Sequence, residues 1–443
     1  MFEPNRAIIT VGLQFGDEGK GSIVDYLTRK YKAKTIVRFN GGGQAAHNVV
    51  TPKGEHHTFS QFGSGTLAGD VTTFLSKFML VDPLAMLTEA RHLMDLGVSD
   101  PFGRMVIDEN ALVVSPYQRA ANRLREIARG DGRHGSCGMG IGETMADNDV
   151  DPSFCLRMRD LNYFSVTAEK LRFIQQTKRQ QLSLFDALRN KHTAQAWATI
   201  EDGNALEFAS TFCDLGRMVH IVPSAYLGET MHGGTTIFEA AQGVLLDERY
   251  GFHPYTTWST TTAKNALTLL AENNYQGNVI KLGIARAYTT RHGPGPFPTE
   301  DLSLDIPEQH NCFNAWQRNF RVGWSDAVLL NYAVAACGGI DYLAITNQDR
   351  ISNLDAKIAV RYLDKGRLIE AFRLLIDPNP SIGRQATLAI DLERYRPIYE
   401  TVLSGHLPDA LSEQLSVPVG IVSHGPAAND KVDHNELSFK SRV

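Results

Sequence analysis

Cysteine is scarce and unpatterned in this 443-residue sequence. Cys137, Cys155, Cys213, Cys312 and Cys337 are scattered, odd in number and form no CxxC pair. That argues against a disulfide framework and for a reducing compartment. No run of about 18 apolar residues occurs, so nothing is expected to span a membrane. The longest candidate, Ala327–Ala336, contains Asn331 and reads as a buried helix. A basic excess is missing as well: 44 Lys and Arg stand against 49 Asp and Glu, a formal net charge of −5. Sequence-independent nucleic-acid binding normally rests on the opposite sign, so no nucleic-acid partner is expected. Residues 1–6 lack the basic flank and longer apolar core of a signal peptide. These absences together point to a cytoplasmic protein. Its 43% of apolar and 21% of charged residues exclude a disordered chain and describe an ordinary globular one.

What is present is an alternation of short β-rich runs and longer helical patterns. Residues 7–11 (AIITV) read as a buried strand, followed by a Gly-rich turn and by helical periodicity over 23–32. Residues 35–39 read as a second strand, ended by Asn40-Gly41-Gly42-Gly43. Residues 78–81, 105–107, 236–238, 279–284, 342–345, 357–362 and 417–422 read as further strands. Strands separated by helices imply an α/β fold, with a large, mainly parallel central sheet and helices on both faces. The stretch at about 167–214, rich in Gln, Leu, Lys and Ala, reads as a helical insertion covering one side of the sheet. No repeat, low-complexity tract or Pro/Ser-rich linker divides the chain. One α/β domain over 1–443 with a helical excursion is therefore expected. The polar tail from 427 to 443 is expected to be partly disordered.

The most informative segment follows the first strand: Gly12-Leu13-Gln14-Phe15-Gly16-Asp17-Glu18-Gly19-Lys20-Gly21. Glycines let a backbone turn tightly and aim its N–H groups at one spot. The next helix adds the positive end of its dipole, and Lys20 adds a full charge. Proteins cradle nucleotide phosphates in this way. The segment is not a Walker A motif, which needs Gly in place of Gln14 and Ser or Thr in place of Gly21. A tight turn with incidental charges is the alternative. Asp17 weighs against it, because a carboxylate among phosphate-binding amides is costly unless it holds Mg²⁺ or does proton chemistry.

With Ile23-Val24-Asp25 downstream, Gly16-Asp17-Glu18-Gly19-Lys20-Gly21 resembles the signature of the adenylosuccinate synthetase family. The likeness continues through Gly41-Gly42-Gly43-Gln44-Ala45-Ala46-His47 and Glu239-Ala240-Ala241-Gln242-Gly243. It goes on through Pro254-Tyr255-Thr256-Thr257, Ala287-Tyr288-Thr289-Thr290-Arg291 and Gly295-Pro296-Phe297-Pro298-Thr299-Glu300. Gly323-Trp324-Ser325-Asp326 and Ser423-His424-Gly425-Pro426 complete a series that keeps the family order over nearly the whole chain. The resemblance implies a homodimeric ligase that joins IMP to L-aspartate using GTP and Mg²⁺. A carboxylate takes the purine N1 proton while the 6-oxygen attacks the γ-phosphate. The amine then displaces the 6-phosphoryl group. Positioning and charge neutralisation carry such phosphoryl transfer.

By position, the resemblance makes Asp17 the general base and a Mg²⁺ ligand, and the Ala46 carbonyl a second ligand. His47 would stabilise the transferred phosphoryl, Lys20 would neutralise phosphate charge, and Gln242 would assist at the purine oxygen. Gly16, Glu18, Gly19 and Gly21 would bind the donor nucleotide's phosphates. Asp349 would accept both guanine N1–H and N2–H₂, with Ser423, Gly425 and Pro426 on the other edge of the base. Gln44, Ser136, Cys137, Thr257, His292, Arg318 and Arg321 would serve the acceptor nucleotide and the amine.

The departures cluster on the substrates. Asn347 stands where the family has a base-stacking Lys. The family's Thr-Thr-Gly-Arg-Arg-Arg-Arg-Thr run, which binds the aspartate carboxylates, here reads Trp316-Gln317-Arg318-Asn319-Phe320-Arg321-Val322. The loop Gly135-Ser136-Cys137-Gly138 replaces Gly-Thr-Thr-Gly. Residues 147–153 are acidic where the family supplies a cross-dimer Arg to the 5′-phosphate, and His292 replaces an apolar residue beside the ribose. IMP and L-aspartate are the default substrates. Another 6-oxopurine or another amine is the alternative, and a non-catalytic nucleotide-binding protein is a second one.

Overall fold

The computed structural model describes residues 5–306, 308, 320–369, 377 and 379–439. Its framework is a ten-stranded sheet. The strands are β1 (Arg6–Gly12), β2 (Thr35–Arg38), β3 (Thr72–Leu75), β4 (Met105–Asp108) and β5 (His220–Val222). They continue as β6 (Thr235–Glu239), β7 (Asn278–Arg286), β8 (Tyr342–Thr346), β9 (Val419–Ser423) and β10 (Lys431–Asp433). Across the sheet the order is β10-β9-β8-β7-β1-β6-β2-β3-β4-β5, and every pairing except β9 with β10 is parallel. This is the expected α/β architecture.

β1 shows why these residues make a buried strand. Its side chains alternate between two apolar layers. Ala7, Ile9 and Val11 join a cluster with Leu269, Leu330, Leu388 and Leu411, which come from four different helices. Ile8 joins the opposite cluster with Ile23, Val24 and Leu27 of α1 (Lys20–Tyr31). Helix Ala327–Ala336 is buried as expected. α1 begins three residues before the expected 23, inside the Gly-rich loop. Gly19, with φ 81°, takes the cap position and no side chain caps the helix, so the usual Ser, Thr, Asp or Asn marker is missing.

Two expected strands lie outside the central sheet. Residues 357–362 belong to Asp355–Asp364 in a separate four-stranded sheet, and Leu80–Val81 pairs with Leu112–Val113. The insertion forms helices Phe164–Leu182, Ala194–Asp202 and Ala205–Met218. Their Leu171, Ile200 and Phe212 pack in one cluster with Leu75, Met105 and Ile107, which covers the β3–β4 end of the sheet. Among the described residues no helix is long and apolar enough to cross a membrane.

Of the tail expected to be partly disordered, residues 427–439 take defined positions and 440–443 fall outside the described residues. Lys431–Asp433 completes the sheet edge, and Asp433 accepts from Tyr26 at 2.8 Å and Lys30 at 2.5 Å. Leu437 is 4% exposed and packs with Ile8, Ile421 and Leu282. The polar composition concealed two apolar anchors, Leu437 and Phe439, whose ring meets Tyr31 with centroids 5.8 Å apart. Leu437→Ala is therefore expected to lower the unfolding free energy by about 2–4 kcal/mol in a urea titration. A tail without order would leave the midpoint unmoved.

Candidate active site

In a parallel sheet the strands end at one edge, and ligands bind in the crevice there. The segments at the ends of β1, β2, β6, β7, β8 and β9 line one cavity of about 1160 Å³. Pockets for one small molecule run roughly 300–1,000 Å³, so this one has room for more than one ligand.

The phosphate loop is shaped from within. The fully buried Glu18 carboxylate accepts from the Gln14 amide at 3.1 Å, the Gly16 amide at 2.9 Å and Lys20 Nζ at 2.5 Å. A Cβ on Gly12 would lie 2.3 Å from that carboxylate, so the strand must carry glycine there. Gln14, which breaks the Walker pattern, bridges instead to Thr289 Oγ1 at 3.2 Å and the Arg286 amide at 2.9 Å. Glu18 thus stays out of the cavity, whereas Gly16, Asp17, Gly19, Lys20 and Gly21 line it. Asp17 sits in the left-handed region at φ 59° and meets His292 Nε2 at 3.1 Å. Its low-dielectric surroundings push its carboxyl up. The His292 hydrogen bond and the charges of His292, Arg286 and Lys20 outweigh that and hold it below the usual range.

His47 enters from strand His47–Val50 and lines the cavity. Its Nδ1 lies 2.6 Å from Glu239 Oε1, at the end of β6. Glu239 also accepts from the Ser64 hydroxyl and from the Ser64 amide at 3.0 Å. Burial raises the Glu239 carboxyl, but Arg38, His47 and Ser64 overcome it and hold the group at about 2. Burial wins at His47, whose pKa is lowered. An ionised Glu239 therefore fixes Nδ1 as a donor and leaves Nε2 as the group that can meet a ligand. Gly21 packs its α-carbon against His47, where a Cβ would lie 2.8 Å from His47 Cβ.

Ala46, Gln44 and Gln242 complete this wall. Both amide atoms of Gln44 and Oε1 of Gln242 are buried without a hydrogen-bond partner. Such orphans are rare in folded proteins and mark groups that a ligand can satisfy. Asn40 joins the two loops by exchanging hydrogen bonds with the Ala241 backbone, at 3.0 and 2.8 Å.

At the other end, Asp349, Ser423, Gly425 and Pro426 line the cavity from the ends of β8 and β9. Asn347, with φ 57°, begins the turn that carries Asp349. Lys431 Nζ donates to the carbonyls of Gly425, Pro426 and Ala427 at 2.9–3.0 Å and fixes that loop.

The expected acceptor and amine residues divide. Gln44, Ser136, Cys137, Thr257 and His292 line the cavity. Ser136 Oγ donates to Asn122 at 3.0 Å, and burial raises the Cys137 thiol. Arg321 lies off the cavity, where its guanidinium grips the Glu300 carboxylate and donates to the Gly295 carbonyl at 2.9 Å. Arg318 falls outside the described residues. Asp147, from the acidic stretch that stands where the family supplies a cross-dimer Arg, meets Lys178 at 2.6 Å and Gln118 at 2.8 Å.

Sequence reasoning assigned no role to Glu239, Arg286 or Asn40. Glu239 was visible as the head of the block that contains Gln242. Its link to His47 spans 192 residues and has no local signal. Arg286 is buried, pairs with Glu308 at 2.9 Å and contributes to the field at Asp17.

A family model described as adenylosuccinate synthetase matches residues 9–432. An adenylosuccinate synthetase of Chlorobium chlorochromatii is 31% identical, covering 96% of this chain and 97% of its own. One from Clostridium botulinum is 32% identical, over 89% and 87%. Among solved structures, the fully ligated adenylosuccinate synthetase of Plasmodium falciparum aligns with a TM-score of 0.77 at 20% identity, over 97% and 99% of the two chains. The succinoaminodeoxyadenylate synthetase of cyanophage S-2L aligns with a TM-score of 0.57 at 16% identity, over 97% and 96%.

The depressed Glu239 carboxyl has a measurable consequence. Its stabilisation is complete above the ordinary pKa of 4.5 and is lost as pH falls toward about 2. That difference is worth on the order of 3 kcal/mol. Urea unfolding from pH 6 downward should show this acid loss, and Glu239→Gln should flatten it. Identical acid limbs would remove Glu239 as the ionised partner of His47.

Proposed function

The chain belongs to the adenylosuccinate synthetase family of C–N ligases in purine nucleotide biosynthesis, and on that footing we propose that it joins IMP to L-aspartate with GTP and Mg²⁺. The observation that carries this reading is convergence: Asp17 and Lys20 from the phosphate loop and His47 from a separate strand reach one cavity, beside the unpartnered Gln44 amide and Gln242 Oε1. Asp17, kept ionised, is the base for the purine N1 proton. His47, held by Glu239, presents Nε2 to the phosphoryl group in transfer. Lys20 neutralises phosphate charge, and the Gln242 amide meets the purine 6-oxygen. Asp349 reads the guanine edge. The Asp17 carboxylate and the Ala46 carbonyl are hard oxygen donors that fit Mg²⁺, which usually takes one or two carboxylates plus substrate phosphates. The metal would spread the charge that builds on the triphosphate. A cytoplasmic homodimer is part of the same proposal.

A second reading keeps the chemistry and changes the acceptor or the amine. It is favoured by Arg321, which is held by Glu300 away from the cavity, and by Asn347 beside Asp349. The cyanophage enzyme that shares the fold is described as bound to dGMP, with dATP as an energy donor.

The test mixes the protein with GTP, Mg²⁺, a panel of 6-oxopurine nucleotides and several amino acids. Phosphate release that needs both IMP and L-aspartate supports the first reading. Release that needs another acceptor or amine supports the second. Nucleotide binding without release under any combination would make the protein a non-catalytic binder. Asp17→Ala is expected to abolish turnover while GTP still binds by calorimetry, and full turnover in that variant would remove Asp17 as the base.

A further inference from the structure

We infer that His292 is a positioning residue for Asp17, clamped between that carboxylate and Phe320. The inference rests on the reading of Asp17 as the base.

Two contacts carry it, one with Phe320 and one with Asp17. His292 ends strand Thr289–His292, which pairs antiparallel with Phe320–Gly323, and the register sets His292 directly opposite Phe320. Directly opposed residues on one face touch, and aromatic pairs are favoured there. The two rings meet with centroids 4.8 Å apart and planes at 60°. The imidazole Nε2 then lies 3.1 Å from Asp17 Oδ2. The neighbouring Arg291 does not compete, because its guanidinium donates to the carbonyls of Pro294 and Pro296 at 3.2 and 2.7 Å. Among the described residues, His292 is the side chain that hydrogen-bonds Asp17.

Asp17 needs such a hold. Its backbone is left-handed, in a loop of glycines, so little in the loop itself fixes the side-chain rotamer. A donated Nε2–H engages Oδ2 and leaves Oδ1 as the proton acceptor of a residue that lines the cavity. His292 thus decides which carboxylate oxygen does the chemistry. Phe320 in turn decides where the imidazole sits. Both residues are among the departures from the family pattern, and the structure places them in contact.

The test compares His292→Leu, which removes the donor, with His292→Gln, whose side-chain amide carries an N–H near the Nε2 position. His292→Leu is expected to lower kcat on the order of 10- to 100-fold, with KM for GTP within about twofold of wild type. His292→Gln should restore most of the loss. Phe320→Leu should give a smaller drop that is less than additive with His292→Leu. Crystal structures of the unliganded variants supply a readout independent of turnover: one Asp17 rotamer in wild type and His292→Gln, and several in His292→Leu. Full activity in His292→Leu, an equal loss in His292→Gln, or an unmoved Asp17 in His292→Leu would each overturn the inference. Should wild type fail to turn over with any acceptor, the base reading falls, while the rotamers still decide whether His292 holds Asp17.

Discussion

Two adjacent carboxylates that face opposite ways organise the centre of this molecule. Glu18 turns inward and binds the Gln14 and Gly16 amides and the Lys20 ammonium. Asp17 turns outward into the cavity. A buried carboxylate is stable only when such donors surround it. Those donors are the loop's own backbone, so satisfying Glu18 and shaping the loop are one event. The glycine at 12 is required because the Glu18 carboxylate fills the space of its Cβ. Asp17 can then be exposed because its neighbour already holds the turn together.

The same logic repeats across the cavity. Glu239 is fully buried and bound by His47 and Ser64, and that fixes which imidazole nitrogen faces the ligands. The parallel sheet supplies the geometry. β1 lies between β6 and β7, so the loops bearing Asp17, Gln242 and His292 start from neighbouring strands. Polar groups are arranged in complementary pairs, Asp17 hydrogen-bonded to His292 and Arg286 ion-paired with Glu308, at a site partly shielded from water. Reaction with phosphates asks for that kind of preorganised field.

The fold was largely legible because buried parallel strands announce themselves as short β-branched runs, as in residues 7–11 and 35–39. Local pattern could not say which sheet a strand joins. Residues 357–362 alternate like the others yet pair with Arg396–Leu403. The order of residues 427–439 was not legible because Leu437 and Phe439, standing apart among polar residues, leave no period, although both pack on an apolar cluster. In the site, the glycine-bearing loops were readable, since a phosphate cradle has a local signature. The partners that tune them were not. Glu239 reaches His47, and Phe320 braces His292, through strand pairing between distant segments. Arg321 was misplaced for the same reason: residue type suggested a carboxylate ligand, and the carboxylate it found was Glu300.

In the proposed reaction the purine 6-oxygen, freed of its N1 proton by Asp17, is the atom that leaves with the phosphate. An acceptor nucleotide labelled with ¹⁸O at C6 tests it most directly, with the released phosphate read by mass spectrometry. Each phosphate released during turnover is expected to carry one ¹⁸O atom. Unlabelled phosphate, released while the purine keeps its label, would contradict it.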